Sequence, residues 1–241
     1  MKVFLVNLDR NPERLADISR ELAELGVEFE RVSAVYGRSL GEDEKRRSVA
    51  RFKWWCLNGT APRDGEIGCA LSHLKTYRRF LETGENCCCV LEDDLLFDRR
   101  FKEQLGRIEK WIDPNRAQVV LMTNYSAEKG GDEWRIVRSA GDSSTEAYVI
   151  TKTAAAELLK RNYPVCTPSD GWRFWAKRGW IELYHAFPTM VPSTWQLGRY
   201  SSEVCPDDDK LFRALELGMV GRVLWKIKRA VGVILAALTV R

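Results

Sequence analysis

Residues 3–32 constrain the fold more than any other segment, because they alternate a strand, a helix and a strand. Residues 3–8 are a short apolar run, read as a buried strand. Asn11-Pro12 then starts a helix: asparagine can cap, and proline suits the first helical position. Leu15, Ile18, Leu22 and Leu25 follow at helical spacing, and Gly26 ends the helix. Val27, Phe29 and Val32 begin a second strand. Strand–helix–strand is the unit of a mainly parallel sheet, so the expected fold class is α/β.

Further along, residues 37–65 are polar, with a charge run at 42–47, the pair Trp54-Trp55 and a Gly/Pro/Asp stretch; they read as an irregular excursion. Helical spacing returns over 66–81, through Ile67, Ala70, Leu71, Leu74, Tyr77 and Leu81, and Gly84 closes it. Residues 87–91 form a compact buried strand, 101–112 a helix, and 117–122, 134–137, 147–151 and 181–187 further strands, with a short helix at 154–160. The body of the protein is thus expected over 1–205, with Asp207-Asp208-Asp209 separating it from a tail, 206–241.

Seven cysteines are an odd number, and Cys87, Cys88 and Cys89 are consecutive. Neighbours on a strand point to opposite faces, so the triplet makes a poor disulfide framework, and no C-x-x-C pair suggests a zinc ribbon. The thiols read as reduced, as in a cytosolic compartment. The apolar run after Lys2 is too short for a signal-peptide core. The net charge of +4 is uneven: residues 210–241 hold seven basic residues and one acid, whereas the other 209 hold 31 basic and 33 acidic. The basic excess belongs to the tail, and the body is not the coated surface of a nucleic-acid binder.

Glu92-Asp93-Asp94 follows the apolar strand at 87–91 directly. Ligands of open α/β sheets bind outside the carboxyl ends of strands. Three carboxylates there repel one another unless a cation is present, and oxygen-rich sites suit Mg²⁺ or Mn²⁺, which bridge to substrate phosphates. A divalent ion on Asp94 would hold a diphosphate and neutralise it as it leaves. The alternative is that these are solvated loop acids. There is no Walker-type loop, and no G-x-G-x-x-G follows the first strand, so phosphate handling falls to a metal and to basic side chains.

Several segments together resemble glycosyltransferase family 25, which includes bacterial lipopolysaccharide and lipooligosaccharide galactosyltransferases and collagen galactosyltransferases. They are residues 3–10 with Arg14; 29–37; 65–73, ending in Ser72-His73; 90–94; Thr145-Glu146-Ala147-Tyr148 through Thr151; and Pro168-Ser169-Asp170. Each is weak alone; their shared order over about 1–205 is what carries the resemblance. It implies a GT-A type nucleotide-sugar-binding fold, with Glu92-Asp93-Asp94 as a D-x-D-like motif. Asp94 and Glu92 would hold the metal, and Glu92 and Asp93 would meet the donor. It also implies that Asn7, Leu8 and Arg10, at the end of the first strand, face the nucleotide base and ribose. Arg10 or Arg14 would bind phosphate by a charge-assisted hydrogen bond. His73 is placed in the donor site by its motif, against the plainer reading of a structural histidine; His185 has no motif support. The segment before Tyr148 departs from the family's small glycines.

An inverting transfer needs a base for the acceptor hydroxyl, and Asp170, in an exposed turn, is the candidate; the alternative is a turn-forming aspartate. Trp172 and Trp175 either stack on sugar rings or pack in the core. Gln196 and Ser201-Ser202 fall in a family-like segment without an assignable role. In the tail, Val220, Val223, Leu224, Ile227, Val231, Ile234, Leu235 and Leu238 repeat at helical spacing beside Arg222, Lys226 and Arg229. Its uncharged run, 230–240, is too short to span a bilayer but suits the interface, basic side against anionic headgroups. Docking on the body or a dimer contact are the alternatives.

The resulting expectation is an inverting, metal-dependent glycosyltransferase. It would move galactose from a UDP-sugar to a lipooligosaccharide or other glycan acceptor, peripheral on the inner face of the bacterial cytoplasmic membrane. A nucleotidyltransferase or phosphohydrolase with carboxylates at strand ends, and a non-catalytic membrane-peripheral binding protein, are the competing readings.

Overall fold

The computed structural model describes residues 1–123, 133–139, 144–189 and 191. The elements run β1 (Lys2–Asn7), α1 (Pro12–Glu24), β2 (Glu30–Ser33), a 3-10 turn (Gly37–Ser39), α2 (Glu42–Ser48), α3 (Arg51–Asn58), α4 (Asp64–Leu81), β3 (Cys87–Glu92), α5 (Phe101–Trp111), β4 (Gln118–Leu121), β5 (Arg135–Arg138), β6 (Ala147–Thr151), α6 (Lys152–Arg161), α7 (Trp172–Lys177) and β7 (Glu182–Phe187). The seven strands form a sheet in the order β2-β1-β3-β6-β4-β7-β5.

β1 pairs in parallel with β2 and β3, and β4 with β7. β6 lies antiparallel between β3 and β4, and β5 is antiparallel to β7. Five strands therefore run one way and two, β6 and β5, the other. The mainly parallel expectation holds for strand direction, but the pairing is mixed. β6 is five consecutive buried residues, and a strand buried on both faces carries no mark of its direction in sequence.

Two compact units interleave along the chain. The first, which contains the whole sheet, takes Met1–Ala34, Ser72–Arg161 and the described residues from Ser169 onward. On one face of its sheet, Val3 and Leu5 of β1 and Cys87, Cys89 and Leu91 of β3 pack with Ile18 and Leu22 of α1 and Phe101, Leu105 and Ile108 of α5. Burying each such aliphatic or aromatic side chain stabilises by about 1.5–3 kcal/mol. On the other face Phe4 meets Phe80 of α4 at 6.5 Å, and Tyr148 of β6 meets Trp172 of α7 at 5.0 Å. The consecutive cysteines thus fill both faces, and burial pushes their thiols up, Cys87 to about 11. The six described cysteines form no disulfide among themselves.

The second unit takes Val35–Leu71 and Asn162–Pro168. Most of the stretch expected to be irregular, 37–65, is instead helical, which corrects that expectation. The charge run within that stretch is ordered by sign, with Glu42, Asp43 and Glu44 in the first turn of α2 and Lys45, Arg46 and Arg47 in the last, matching the helix dipole. Lys45 is buried and meets Asp64 at 2.6 Å. α3 tucks Trp54 and Cys56 inside and ends on Gly59, whose φ of 77° only glycine adopts without strain.

Among the described residues no helix is long and apolar enough to cross a membrane. The expected tail helix, with Gln196, Ser201 and Ser202, lies outside the described residues.

Candidate active site

The acidic triplet lies where β3 runs out, and Glu92 is the strand's last residue rather than the first of a loop. Strand alternation separates its members. Leu91 packs toward α1 and α5, Glu92 turns to the α4 face, and Asp93 returns to the α1 face.

On the α4 face, His73 Nε2 lies 3.1 Å from Glu92 Oε1, and Thr145 Oγ1 donates to the same oxygen at 2.6 Å. The Glu92 N–H donates to the carbonyl of Glu146 at 2.8 Å, extending the β3–β6 ladder by one rung. Burial alone would raise the Glu92 carboxyl; the His73 and Thr145 contacts outweigh it and hold the group below the usual carboxylate range. His73 Nδ1 lies 2.8 Å from Tyr148 Oη, which lies 2.9 Å from Tyr77 Oη.

On the α1 face, Asn7, only 1% exposed, forms a junction. Its Nδ2 donates to Asp93 Oδ2 at 2.6 Å and to the Asn11 carbonyl at 3.1 Å, and its Oδ1 accepts from Arg31 Nε at 3.0 Å. Arg31 continues to Asp9, which also accepts from Ser33 Oγ. Arg14 Nη1 approaches Asp93 Oδ1 at 3.4 Å. Burial raises the Asp93 carboxyl, and Asn7 and Arg14 only partly oppose it.

Asp94 comes last and has the strongest perturbation. Burial, then Glu92, Glu146 and Asp93, push its carboxyl up to about 8, with Arg14 acting the other way. Glu146, 6% exposed, is thus a fourth carboxylate of the cluster. Four acids lie about one strand end, Glu92 and Asp93 on its opposite faces, and oxygen donors of this kind suit Mg²⁺ or Mn²⁺.

Of the residues singled out from sequence, the structure brings together Asn7, Arg14, His73, Glu92, Asp93 and Asp94. His73 sits behind the triplet as a buried support for Glu92, and Arg14 sits against Asp93. Leu8 and Arg10 follow β1; Leu8 is partly exposed and Arg10 exposed. Asp170 is exposed, two residues before Trp172, whose Nε1 donates to the Ser144 carbonyl at 3.1 Å. Trp172 and Trp175 are 0% and 2% exposed and 5.1 Å apart, so they are core and offer no face to a sugar. His185 is buried beside Phe187 in β7. Sequence reasoning gave no role to Tyr77, Arg31, Thr145, Glu146 or Tyr148. Thr145, Glu146 and Tyr148 did stand in one of the ordered segments, which was the available signal.

The mixed α/β sheet thus has its charged groups at a strand's carboxyl end, where α/β proteins commonly bind ligands. A family model described as glycosyltransferase family 25 (LPS biosynthesis protein) matches residues 1–172, and the chain belongs to that family. A glycosyltransferase 25 family member of Aedes aegypti is 32% identical over 170 residues, 66% of this chain and 28% of the relative. Procollagen galactosyltransferase 1-B of Xenopus laevis is 34% identical over 107 residues, 43% of this chain and 18% of the relative. Procollagen galactosyltransferase 2 of Mus musculus is 29% identical over 138 residues, 53% and 21%. The chain thus spans 18–28% of the length of these relatives. Among solved structures, the inositol-1-phosphate CTP transferase from T. maritima aligns with a TM-score of 0.40 at 13% identity, covering 90% of this chain and 97% of that one.

Proposed function

We propose that the chain transfers galactose from UDP-galactose to a hydroxyl of a glycan acceptor, with inversion at the anomeric carbon and with Mn²⁺ or Mg²⁺ at Asp94 and Glu92. The observation that supports this most is the cluster of Glu92, Asp93, Asp94 and Glu146 at the end of β3, in a chain of family 25. Galactose is drawn from the names of the procollagen galactosyltransferases it resembles.

In this reading the sheet has the GT-A arrangement, and the donor lies over the carboxyl ends of β1 and β3. The metal would be held by the oxygens of Asp94 and Glu92, donors of the kind Mg²⁺ or Mn²⁺ takes, and burial and the surrounding acids disfavour the bare Asp94 carboxylate. When bound, the ion supplies the positive charge that the diphosphate needs on leaving. Asn7 and Arg14 hold Asp93 in place, and His73 and Thr145 hold Glu92. Arg10, exposed beyond β1, is the basic side chain for phosphate, and Leu8 lies beside the base and ribose. The acceptor oxygen bonds to the anomeric carbon while the bond from that carbon to the donor's phosphate oxygen breaks, its electron pair leaving on UDP. Asp170 takes the acceptor's proton. The acceptor is a lipooligosaccharide or other lipid-linked glycan, met at the inner face of the cytoplasmic membrane, a reading that rests on the basic, apolar-striped sequence of 206–241.

The test is UDP release from UDP-galactose with a glycan acceptor. EDTA, or Asp94→Ala, should abolish it. Full activity of Asp94→Ala without metal rejects the proposal, and release of pyrophosphate or inorganic phosphate instead of UDP points to the nucleotidyltransferase or phosphohydrolase chemistry.

A further inference from the structure

One buried hydrogen-bonded relay ends on the acidic triplet. It runs from Tyr77 Oη to Tyr148 Oη (2.9 Å), to His73 Nδ1 (2.8 Å), and from His73 Nε2 to Glu92 Oε1 (3.1 Å), where Thr145 Oγ1 joins at 2.6 Å. Tyr148 is 0% exposed, Tyr77 and His73 2% and Thr145 5%, whereas the Glu92 side chain is 23% exposed. Both protein donors converge on Oε1; among the described residues none is found on Oε2.

Donor accounting gives the relay one direction for each charge state of the His73 ring. An ionised carboxylate only accepts, so His73 Nε2 carries a proton. In the neutral ring Nδ1 accepts, Tyr148 donates to it, and Tyr77 donates to Tyr148. Burial keeps the Tyr148 phenol protonated by raising it well above its ordinary value. Burying hydroxyls and an imidazole is costly unless each is paired, and an apolar core would have been simpler to build. A buried polar chain that terminates on one oxygen of a partly exposed carboxylate fixes the direction of the other oxygen.

We propose that Tyr148 is a positioning residue of the transfer site: backed by Tyr77 and acting through His73, it anchors Glu92 by Oε1 and directs Oε2 toward the donor complex. What Oε2 meets rests on the donor-site reading of Glu92 above; the relay itself rests on geometry alone.

The test uses the full chain and a double-mutant cycle read by calorimetry of UDP with Mn²⁺. Tyr148→Phe keeps the ring against Trp172 and removes only the hydroxyl; it should weaken metal-dependent UDP binding by about tenfold or more, the usual effect of losing an outer partner of a ligand. Tyr77→Phe, one step further back, should act in the same direction and less. Tyr148→Phe combined with His73→Leu should bind no more weakly than His73→Leu alone, because one residue works through the other. Additive losses, or unchanged binding in Tyr148→Phe, overturn the proposal. A second readout needs no nucleotide. The chain has two histidines, so ¹⁵N spectra of its imidazoles resolve His73 from His185. Tyr148→Phe and Glu92→Gln should each shift the His73 nitrogens. Shifts seen in a chain that binds no UDP reject the donor-site reading and keep the relay; absent shifts reject the relay whatever the activity.

Discussion

Neutralising Asp94 probes the electrostatics of the site most directly. Its carboxyl is pushed up to about 8, by burial first and then by Glu92, Glu146 and Asp93. In the unfolded chain an aspartic acid titrates near about 3.9. Between those values the folded chain keeps a proton that the unfolded chain has released. Stability therefore falls as pH rises, by up to about 1.4 kcal/mol per pH unit. The contribution is complete below the unfolded value, is lost on the way up through the folded one, and is level above it. With a folded value of about 8, the loss between pH 6 and pH 8 comes to about 2 kcal/mol. For a chain of 241 residues that is about 4–8 °C of melting temperature. Asp94→Asn has no such proton to lose and serves as the reference. In EDTA, the melting difference between variant and native chain should widen in the variant's favour by about 4–8 °C from pH 6 to pH 8. Saturating Mn²⁺ should stabilise the native chain and not the variant, and close the gap. Parallel melting of the two across that interval in EDTA would show that the neighbouring acids do not press on Asp94, and would remove the electrostatic reason for a cation there.

Two further outcomes follow from contacts away from Asp94. Asn7→Leu fills the same space but removes three hydrogen bonds, one of them to the buried Asp93 carboxylate. It should cost about 2–4 kcal/mol in urea unfolding at neutral pH. Because Asp93 is already raised, losing Asn7 raises it further, so the cost should shrink as pH falls and Asp93 is protonated; a cost under about 0.5 kcal/mol would remove Asn7 from its role. Gly68→Ala would bring a Cβ within 2.5 Å of the Val35 carbonyl oxygen and 2.7 Å of the Gly37 nitrogen, both backbone atoms that cannot swing aside. It should destabilise by about 1–3 kcal/mol, read as a lowered melting temperature, and a native-like melt would refute the close approach.

What was legible in sequence was what periodicity records. The α1 spacing, the strand at 87–91 and the helix over 66–81 all recur as elements, because amphipathic or fully apolar runs of that length have one way to be buried. Other features did not register, among them α2, α7, α3 and the direction of β6. α3 is only 8 residues, about two turns, so the inward positions of Trp54 and Cys56 cannot establish a period. The reversed direction of β6 is fixed by pairing with β3 and β4, far away in the chain, and leaves no local trace. At the site, the triplet stood out as a charged interruption of an apolar strand. Its helpers did not, since Tyr148 is an ordinary strand residue, and Thr145 an ordinary residue of the bend before it, until β6 is laid beside β3.

That pairing explains why separate weak segments make a strong ordered set. The end of β3 draws Asn7 and Arg14 from the first segment, His73 from the helix before it, and Thr145 and Tyr148 from β6 and the bend leading into it, more than fifty residues later. None of these residues is chemically unusual at its own position, and each has a plain structural reading there. What they share is a destination: the neutralisation or orientation of one of two adjacent carboxylates that strand alternation sends to opposite faces. Glu92 is held from the α4 side and Asp93 from the α1 side, each by donors. Three consecutive acids are therefore not three equivalent ligands. The supports hold the first two, and burial, then the charges of Glu92, Glu146 and Asp93, raise the third, which is why the chemistry assigned to the site converges on Asp94.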